Sequence, residues 1–169
     1  MVIKLLIEYN GKSFFGWQVQ PNQRTVQGEL RGALSVLLRG KKFQLIGASR
    51  TDRGVHAEGQ VASVHLNEDL ALDLERFRYS LNGMLPRDIY VHSAEKVSDD
   101  FHARYSAKGK IYRYRILGGK SPIRKDFVWE FPFDYNSNKL RIAAKRLEGV
   151  HDFHNLSSSV RKGEGVVNV

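Results

Sequence analysis

The chain has 169 residues, of which 41% are hydrophobic and 27% are charged, proportions typical of globular domains. It contains no cysteine, which excludes disulfides, thiolate catalysis and thiolate zinc sites. No apolar run approaches the roughly 18 residues of a membrane-spanning helix. The first nine residues are too short and too charged for a signal peptide. We therefore expect a cytoplasmic protein that does not enter a membrane.

The net charge of +9 is unevenly distributed along the chain. Residues 1–103 contain 13 Lys and Arg against 12 Asp and Glu, whereas residues 104–169 contain 14 against 6. A basic segment beside a nearly neutral one indicates a face that meets a polyanion, because neutralised phosphates release condensed counterions. A basic surface that only contacts water gives the same composition and is the alternative.

The first predicted unit, residues 1–103, has the order β-α-β-β-α-β. Alternation of apolar and polar side chains predicts its first strand, at 3–9, and three further strands are predicted at 43–49, 60–66 and 89–96. Thr25 is the predicted N-cap of a helix that ends at Gly40, and Asp73 is the predicted N-cap of a second helix. This order is that of the ferredoxin-like fold, an α+β arrangement in which two helices cover one face of the sheet.

A second, basic unit is predicted at residues 104–169. Residues 108–117 alternate strictly, with Tyr112 on one side and Arg113 and Arg115 on the other, which predicts a strand. The two arginines form either a strip that faces RNA or an ordinary charged surface.

A third helix is predicted after this strand, with Asn136 or Ser137 as its N-cap and Gly149 as its end. Its predicted inward side carries Leu140, Ala143, Ala144 and Leu147. Residues 164–169 predict the start of another strand. A second β-α-β-β-α-β unit needs more elements than these, so we expect the second lobe to be incomplete.

The loop between the second and third predicted strands places a carboxylate between two guanidinium groups, in the run Arg50-Thr51-Asp52-Arg53-Gly54. Positive charges within ~4–6 Å lower the pKa of a carboxylate, so we expect Asp52 to be ionised. An ionised carboxylate can act as a nucleophile, a base or a metal ligand. From these residues alone, a structural Arg–Asp ion pair at a turn is an equally good interpretation.

The longer run at residues 47–61, GASRTDRGVHAEGQV, resembles the active-site signature of the TruA family of tRNA pseudouridine synthases. Four further blocks resemble this family in the same order: YNG, FGWQ, QP and RTVQGEL within 9–30, LNGMLPRDI at 81–89, FHARYSAK and YRY within 101–114, and HDF at 151–153. Together the blocks cover nearly the whole chain.

The resemblance implies an enzyme that isomerises uridine to pseudouridine in the anticodon stem-loop of tRNA, at positions 38–40. It assigns Asp52 as the nucleophile, Arg50 as the partner of Asp52 and of backbone phosphate, and Tyr112 as the ring that packs on the uracil. Thr51, Arg53 and His56 share the substrate-binding loop, where we expect His56 to stabilise the loop rather than act as a base. The resemblance also implies a homodimer, with no cofactor and no metal.

Members of this family continue with a segment that resembles Gly-x-x-Phe-Leu-x-x-Met-Val-Arg, which supplies another pocket arginine. This sequence contains no such run. We therefore expect a chain shortened at its carboxyl end, and activity of the 169 residues alone is an open question.

Two other functional classes deserve comparison. A non-catalytic RNA-binding module of the RRM type shares the ferredoxin-like fold. However, the aromatic RNP1 pattern of such modules is absent from this sequence, and an RRM would have no use for the loop around Asp52. A metal-dependent nuclease needs at least two converging acidic residues, whereas Asp52 lies among arginines.

Overall fold

A four-stranded antiparallel sheet begins the structure, a computed structural model that describes residues 1–156 and 166–168. The strands are β1 (Val2–Tyr9), β2 (Phe43–Gly47), β3 (Ala57–Leu66) and β4 (Ile89–Val97). Their spatial order is β2-β3-β1-β4, so β2 and β4 are the edge strands. All four predicted strands are confirmed, although β3 begins three residues earlier than predicted.

Two helices of this unit begin at the predicted N-caps. Helix α1 (Val26–Leu37) begins after Thr25, whose hydroxyl accepts a hydrogen bond from the Gly28 N–H at 3.2 Å. Helix α2 (Leu74–Met84) begins after Asp73, whose carboxylate accepts from the N–H groups of Glu75 and Arg76, both at 3.1 Å. Each cap satisfies N–H groups that have no partner within the helix.

The core lies between one face of the sheet and these two helices. Its buried side chains include Ile3, Leu5, Ile7, Leu30, Leu34, Ala62, Val64, Phe77, Leu81 and Val91. Burying an aliphatic or aromatic side chain of this size stabilises a fold by ~1.5–3 kcal/mol. The alternation of apolar residues along the strands therefore determines which face the helices cover.

The opposite face of the sheet is partly covered by the segment that follows β4. Ala103 is 2% exposed, and its N–H donates to the Ser63 hydroxyl at 3.3 Å. The same hydroxyl lies 2.9 Å from Nε2 of His65. Burial lowers the pKa of His65 below its ordinary value, and the neighbouring His102 lowers it further. Segment 98–106 thus belongs to the packed part of the first unit.

The described residues divide into two units, Met1–Ile111 and Tyr112–Val169. In the second unit, β5 (Ile116–Gly118) pairs in parallel with β6 (Trp129–Phe131), and β7 (Val150–Asp152) pairs antiparallel with β8 (Val166–Asn168). Strand β8 confirms the predicted last strand at 166–168, while 164, 165 and 169 lie outside the described residues. In the part of the chain that is described, no helix combines the length and the apolar character needed to cross a membrane.

The predicted strand at 108–117 is wrong over most of its length. Only its last two residues fall in β5, because pairing with β6 begins at Ile116 opposite Trp129. Alternation describes the directions of side chains, whereas a strand also needs a neighbouring strand for its backbone hydrogen bonds.

Helix α3 (Ser137–Lys145) confirms the third predicted helix, and its N-cap is Asn136. The prediction that its apolar stripe points inward is wrong, because no residue of α3 is buried and Leu140 and Leu147 are each 47% exposed. The described strands of this unit are three residues long and provide little surface for a helix to cover.

We predict that Asp73→Ala lowers the free energy of unfolding by about 1 kcal/mol, because two N–H groups of α2 lose their acceptor. Asp73→Asn keeps a side-chain oxygen in the same place and should lose only a few tenths. Urea denaturation followed by circular dichroism measures both values. Equal losses for the two variants would show that the cap does not account for the stabilisation.

Candidate active site

Three loops leave the sheet at the same end. Tyr9, the last residue of β1, is opposite Ala57 of β3 on one side and Ile89 of β4 on the other. The loop that follows β1 (residues 10–25, the first loop) is therefore beside the loop that precedes β3 (residues 48–56, the Asp52 loop). The short connection before β4 lies at this end too.

The Asp52 loop is fixed to the sheet where it leaves β2. The Ala48 N–H donates to the Val61 carbonyl at 2.8 Å, which extends the pairing of β2 with β3 by one residue. The amide of Gln60, 6% exposed, donates to the Ser49 carbonyl at 2.7 Å. A buried side-chain amide that bonds to a loop carbonyl holds that backbone firmly, because breaking the bond leaves buried polar groups unsatisfied.

The first loop holds the centre of the Asp52 loop through backbone hydrogen bonds. The Trp17 N–H donates to the Thr51 carbonyl at 3.0 Å, and the Gly54 N–H donates to the Phe14 carbonyl at 3.2 Å. Phe14 and Trp17 are each 1% exposed, so both anchors belong to the core. The hydroxyls of Tyr9 and Thr51 are 2.8 Å apart. The predicted loop residue Thr51 therefore positions the backbone next to Asp52.

His56 is also part of this contact. Its Nδ1 lies 3.2 Å from the Gly11 N–H and accepts a hydrogen bond from it. The contact fits the expectation that His56 stabilises the loop.

Two glycines make the contact sterically feasible. A Cβ atom on Gly11 would lie 1.9 Å from the Val55 carbonyl oxygen, far inside van der Waals contact. Gly54 has φ +80°, a left-handed conformation that other residues adopt only under strain. It belongs to a turn that is closed by the Val55 N–H and the Asp52 carbonyl, 3.2 Å apart.

The side chain of Asp52 is exposed on this fixed turn. Arg50 is exposed as well, and among residues 1–156 the structure contains no ion pair between it and Asp52. The guanidinium of Arg53 instead stacks over the ring of Phe15, 4.3 Å from its centroid. The structure therefore fixes this loop against the first loop while leaving the Asp52 carboxylate exposed.

Sequence reasoning missed the network that fixes the first loop from its other side. The guanidinium of Arg24 donates two hydrogen bonds to the Asp88 carboxylate, at 2.9 and 3.1 Å, and one to Glu29 at 2.7 Å. It also lies 4.3 Å from the ring centroid of Phe14. The pKa of Arg24 is raised above its ordinary value, mainly because its guanidinium hydrogen-bonds to Asp88. Arg24 and Asp88 lie in separate blocks of the resemblance, and nothing in the sequence pairs them.

Tyr112 is the first residue of the second unit and is 64% exposed, on a segment without regular structure. Its assignment to the site rests on the resemblance alone.

We predict that Gly11→Ala destabilises the fold by ~1–3 kcal/mol, because the new methyl group must displace the backbone at Val55. The matched control is Gly83→Ala, whose Cβ meets no atom within 4 Å and which should stabilise α2 by up to about 1 kcal/mol. Urea denaturation measures both changes. If both variants leave the free energy of unfolding unchanged, the close approach of the two loops is contradicted.

Comparison with known proteins identifies relatives of this chain. A family model described as tRNA pseudouridine synthase matches residues 5–106, which include both loops. The protein named tRNA pseudouridine synthase A from Listeria monocytogenes serotype 4a (strain HCC23) is 42% identical over 158 residues, which are 92% of this chain and 63% of that protein. Proteins of the same name from Bacillus subtilis (strain 168) and Aquifex aeolicus (strain VF5) are 45% and 40% identical, over 90% and 98% of this chain.

This chain spans 62% of the length of the Bacillus subtilis protein and 68% of the Aquifex aeolicus protein. The matched family segment covers more than half of the chain and contains both loops, Asp52 and all of the sheet except the first three residues of β1. The chain therefore belongs to the tRNA pseudouridine synthase family.

Proposed function

We propose that this protein converts uridine to pseudouridine in tRNA, with Asp52 as the nucleophile. The observation that carries the proposal is the exposed Asp52 carboxylate on a turn whose backbone is held from two sides, within the segment that matches the family. The names of the relatives supply the reaction and its substrate.

The reaction breaks the bond between ribose C1′ and uracil N1 and forms a bond between C1′ and C5. The proton on C5 leaves, and N1 gains a proton, so no atom is added overall and no group is oxidised or reduced. The proposed reaction therefore needs no cofactor and no metal. It needs a group that adds to the uracil ring or to C1′ while the base turns, and both routes are open to an ionised carboxylate.

The position of Asp52 suits a base that has left its stack. Enzymes that act on a base extrude it into a pocket, so the reacting group must stand clear of the surrounding protein surface. Arg50 is exposed two residues away, and we propose that it binds backbone phosphate there, since its planar fork matches phosphate oxygens. We assign Tyr112 as the ring that packs on the uracil.

Four finer points belong to the same proposal. The uridines are those of the anticodon stem-loop, at positions 38–40; the protein acts as a homodimer; and it works in the cytoplasm. We also propose that residues 1–103 form a ferredoxin-like lobe, which is supported by the order β-α-β-β-α-β and the sheet order β2-β3-β1-β4.

We predict that Asp52→Asn abolishes pseudouridine formation, because the amide keeps the shape of the side chain but is not a nucleophile. Release of tritium from tRNA labelled at uridine C5 measures the reaction. The unfolding free energy should stay within about 0.5 kcal/mol of the parent, because the side chain is exposed.

Glu75→Gln is the control for this experiment, since it removes an exposed carboxylate from the first turn of α2, outside both loops, and should leave turnover unchanged. Appreciable turnover by Asp52→Asn would remove Asp52 from the proposed role.

We predict that binding of tRNA depends on salt and that the later, basic half contributes most of this dependence. Replacing Lys108 and Lys110 by Gln should flatten the slope of log affinity against log salt by about 1–2, because each phosphate contact contributes ~0.7–0.9. The control replaces Arg76 and Arg87, two exposed arginines of the nearly neutral half. Equal changes for both pairs would show that the charge asymmetry is not a binding footprint.

A further inference from the structure

A cavity of about 220 Å³ opens at the free edge of β2, within the first unit. The residues that line it include Trp17, Gln18, Gln44, Gly47, Arg104 and Tyr105. Pockets for drug-sized ligands measure ~300–1,000 Å³, so this volume suits one base, with the rest of its nucleotide outside the cavity.

One wall of the cavity is a well-ordered turn that presents Tyr105. The ring nitrogen Nδ1 of His102 accepts hydrogen bonds from the N–H groups of Arg104 and Tyr105, at 3.2 and 3.3 Å. The Ser106 N–H donates to the His102 carbonyl at 2.8 Å. Ala103, in the same turn, is anchored to the sheet. This turn is therefore formed before any ligand arrives.

Tyr105 has the properties of a stacking platform. Its ring lies on that of His102, with centroids 4.3 Å apart and planes inclined by 30°. The residue is nevertheless 80% exposed, so the other face of the ring is free. An aromatic ring held by its neighbour and open on one face is what an unstacked nucleobase needs as a partner.

The remaining walls carry groups that recognise nucleotides. The amides of Gln18 and Gln44 can donate to and accept from the edge of a base, and the exposed guanidinium of Arg104 can bind phosphate. Gln27, also at the cavity, is already engaged, because its amide donates to the Leu45 carbonyl at 3.0 Å and fixes the free edge of β2.

The cavity is connected to the Asp52 loop through Trp17. The ring of Trp17 lies against Gly47, where a Cβ atom would be 2.5 Å from the indole, and the backbone N–H of Trp17 donates to the Thr51 carbonyl. The same residue thus lines the cavity and holds the loop.

We propose that this cavity binds one unstacked nucleotide of the RNA substrate, separate from the uridine presented to Asp52. Its base stacks on Tyr105, its edge meets the amides of Gln18 and Gln44, and its phosphate binds Arg104. The proposal rests on the proposed function, because it takes the substrate to be RNA.

The test measures the affinity of the protein for a fluorescein-labelled anticodon stem-loop RNA by anisotropy. Tyr105→Ala should weaken binding about 5- to 140-fold, since base–aromatic stacking contributes ~1–3 kcal/mol. Tyr105→Phe keeps the ring and should bind within about twofold of the parent. The matched control is Tyr79→Ala on α2, which removes a tyrosine that is 78% exposed and should leave affinity unchanged.

A second arm uses the same RNA with 2-aminopurine at single loop positions. One position should show fluorescence quenching that Tyr105→Ala abolishes and Tyr105→Phe preserves. Arg104→Gln should flatten the slope of log affinity against log salt by the contribution of about one phosphate contact. If the parent binds RNA and Tyr105→Ala binds it as tightly as Tyr79→Ala does, the cavity proposal is overturned and the proposed function is unaffected. If the parent binds no RNA, the proposed function fails and the cavity proposal fails with it.

Discussion

The candidate site depends on the backbone contact between the first loop and the Asp52 loop. Loops are usually the most mobile and least constrained parts of a domain. Here the N–H of Trp17 and the carbonyl of Phe14 hold the turn at Asp52 from one side, and buried Gln60 holds its beginning from the other. A reacting group gains much of its effectiveness from being kept in one orientation before the substrate arrives. Because folding fixes this backbone, substrate binding does not have to order it.

The sheet explains why these loops meet. Antiparallel pairing of β1 with β3 and β4 brings the end of one strand to the beginnings of two others, all within one residue of Tyr9. Close approach then requires a residue without a side chain at Gly11, and the ion pair of Arg24 with Asp88 closes the third side. The ion pair is partly exposed, so its value lies in geometry more than in stabilisation. The bidentate hydrogen bonding of a guanidinium to a carboxylate defines the orientation of the two groups as well as the distance between them.

Local features of this fold could be predicted from the sequence, and contacts between distant residues could not. The N-caps at Thr25 and Asp73 depend on a few neighbouring residues, and the strands of the first unit depend on an alternation that the core enforces. The same alternation at 108–117 failed because it does not reveal whether a partner strand is present. The family resemblance located the Asp52 loop, but residues 64 apart such as Arg24 and Asp88 have no local pattern that joins them.

In the proposed reaction an exposed carboxylate has to approach a nucleic acid, whose phosphates repel it. The loop resolves this conflict by its composition, since Arg50 and Arg53 on either side of Asp52 give residues 50–53 a net charge of +1. Neither arginine forms an ion pair with the carboxylate in the described structure, and Arg53 is held on the ring of Phe15. Charges that flank Asp52 without neutralising it can lower the repulsion over a Debye length of ~8 Å and still leave its oxygens free to react. A direct ion pair would lower the repulsion too, but it would occupy the oxygens that the proposed chemistry needs.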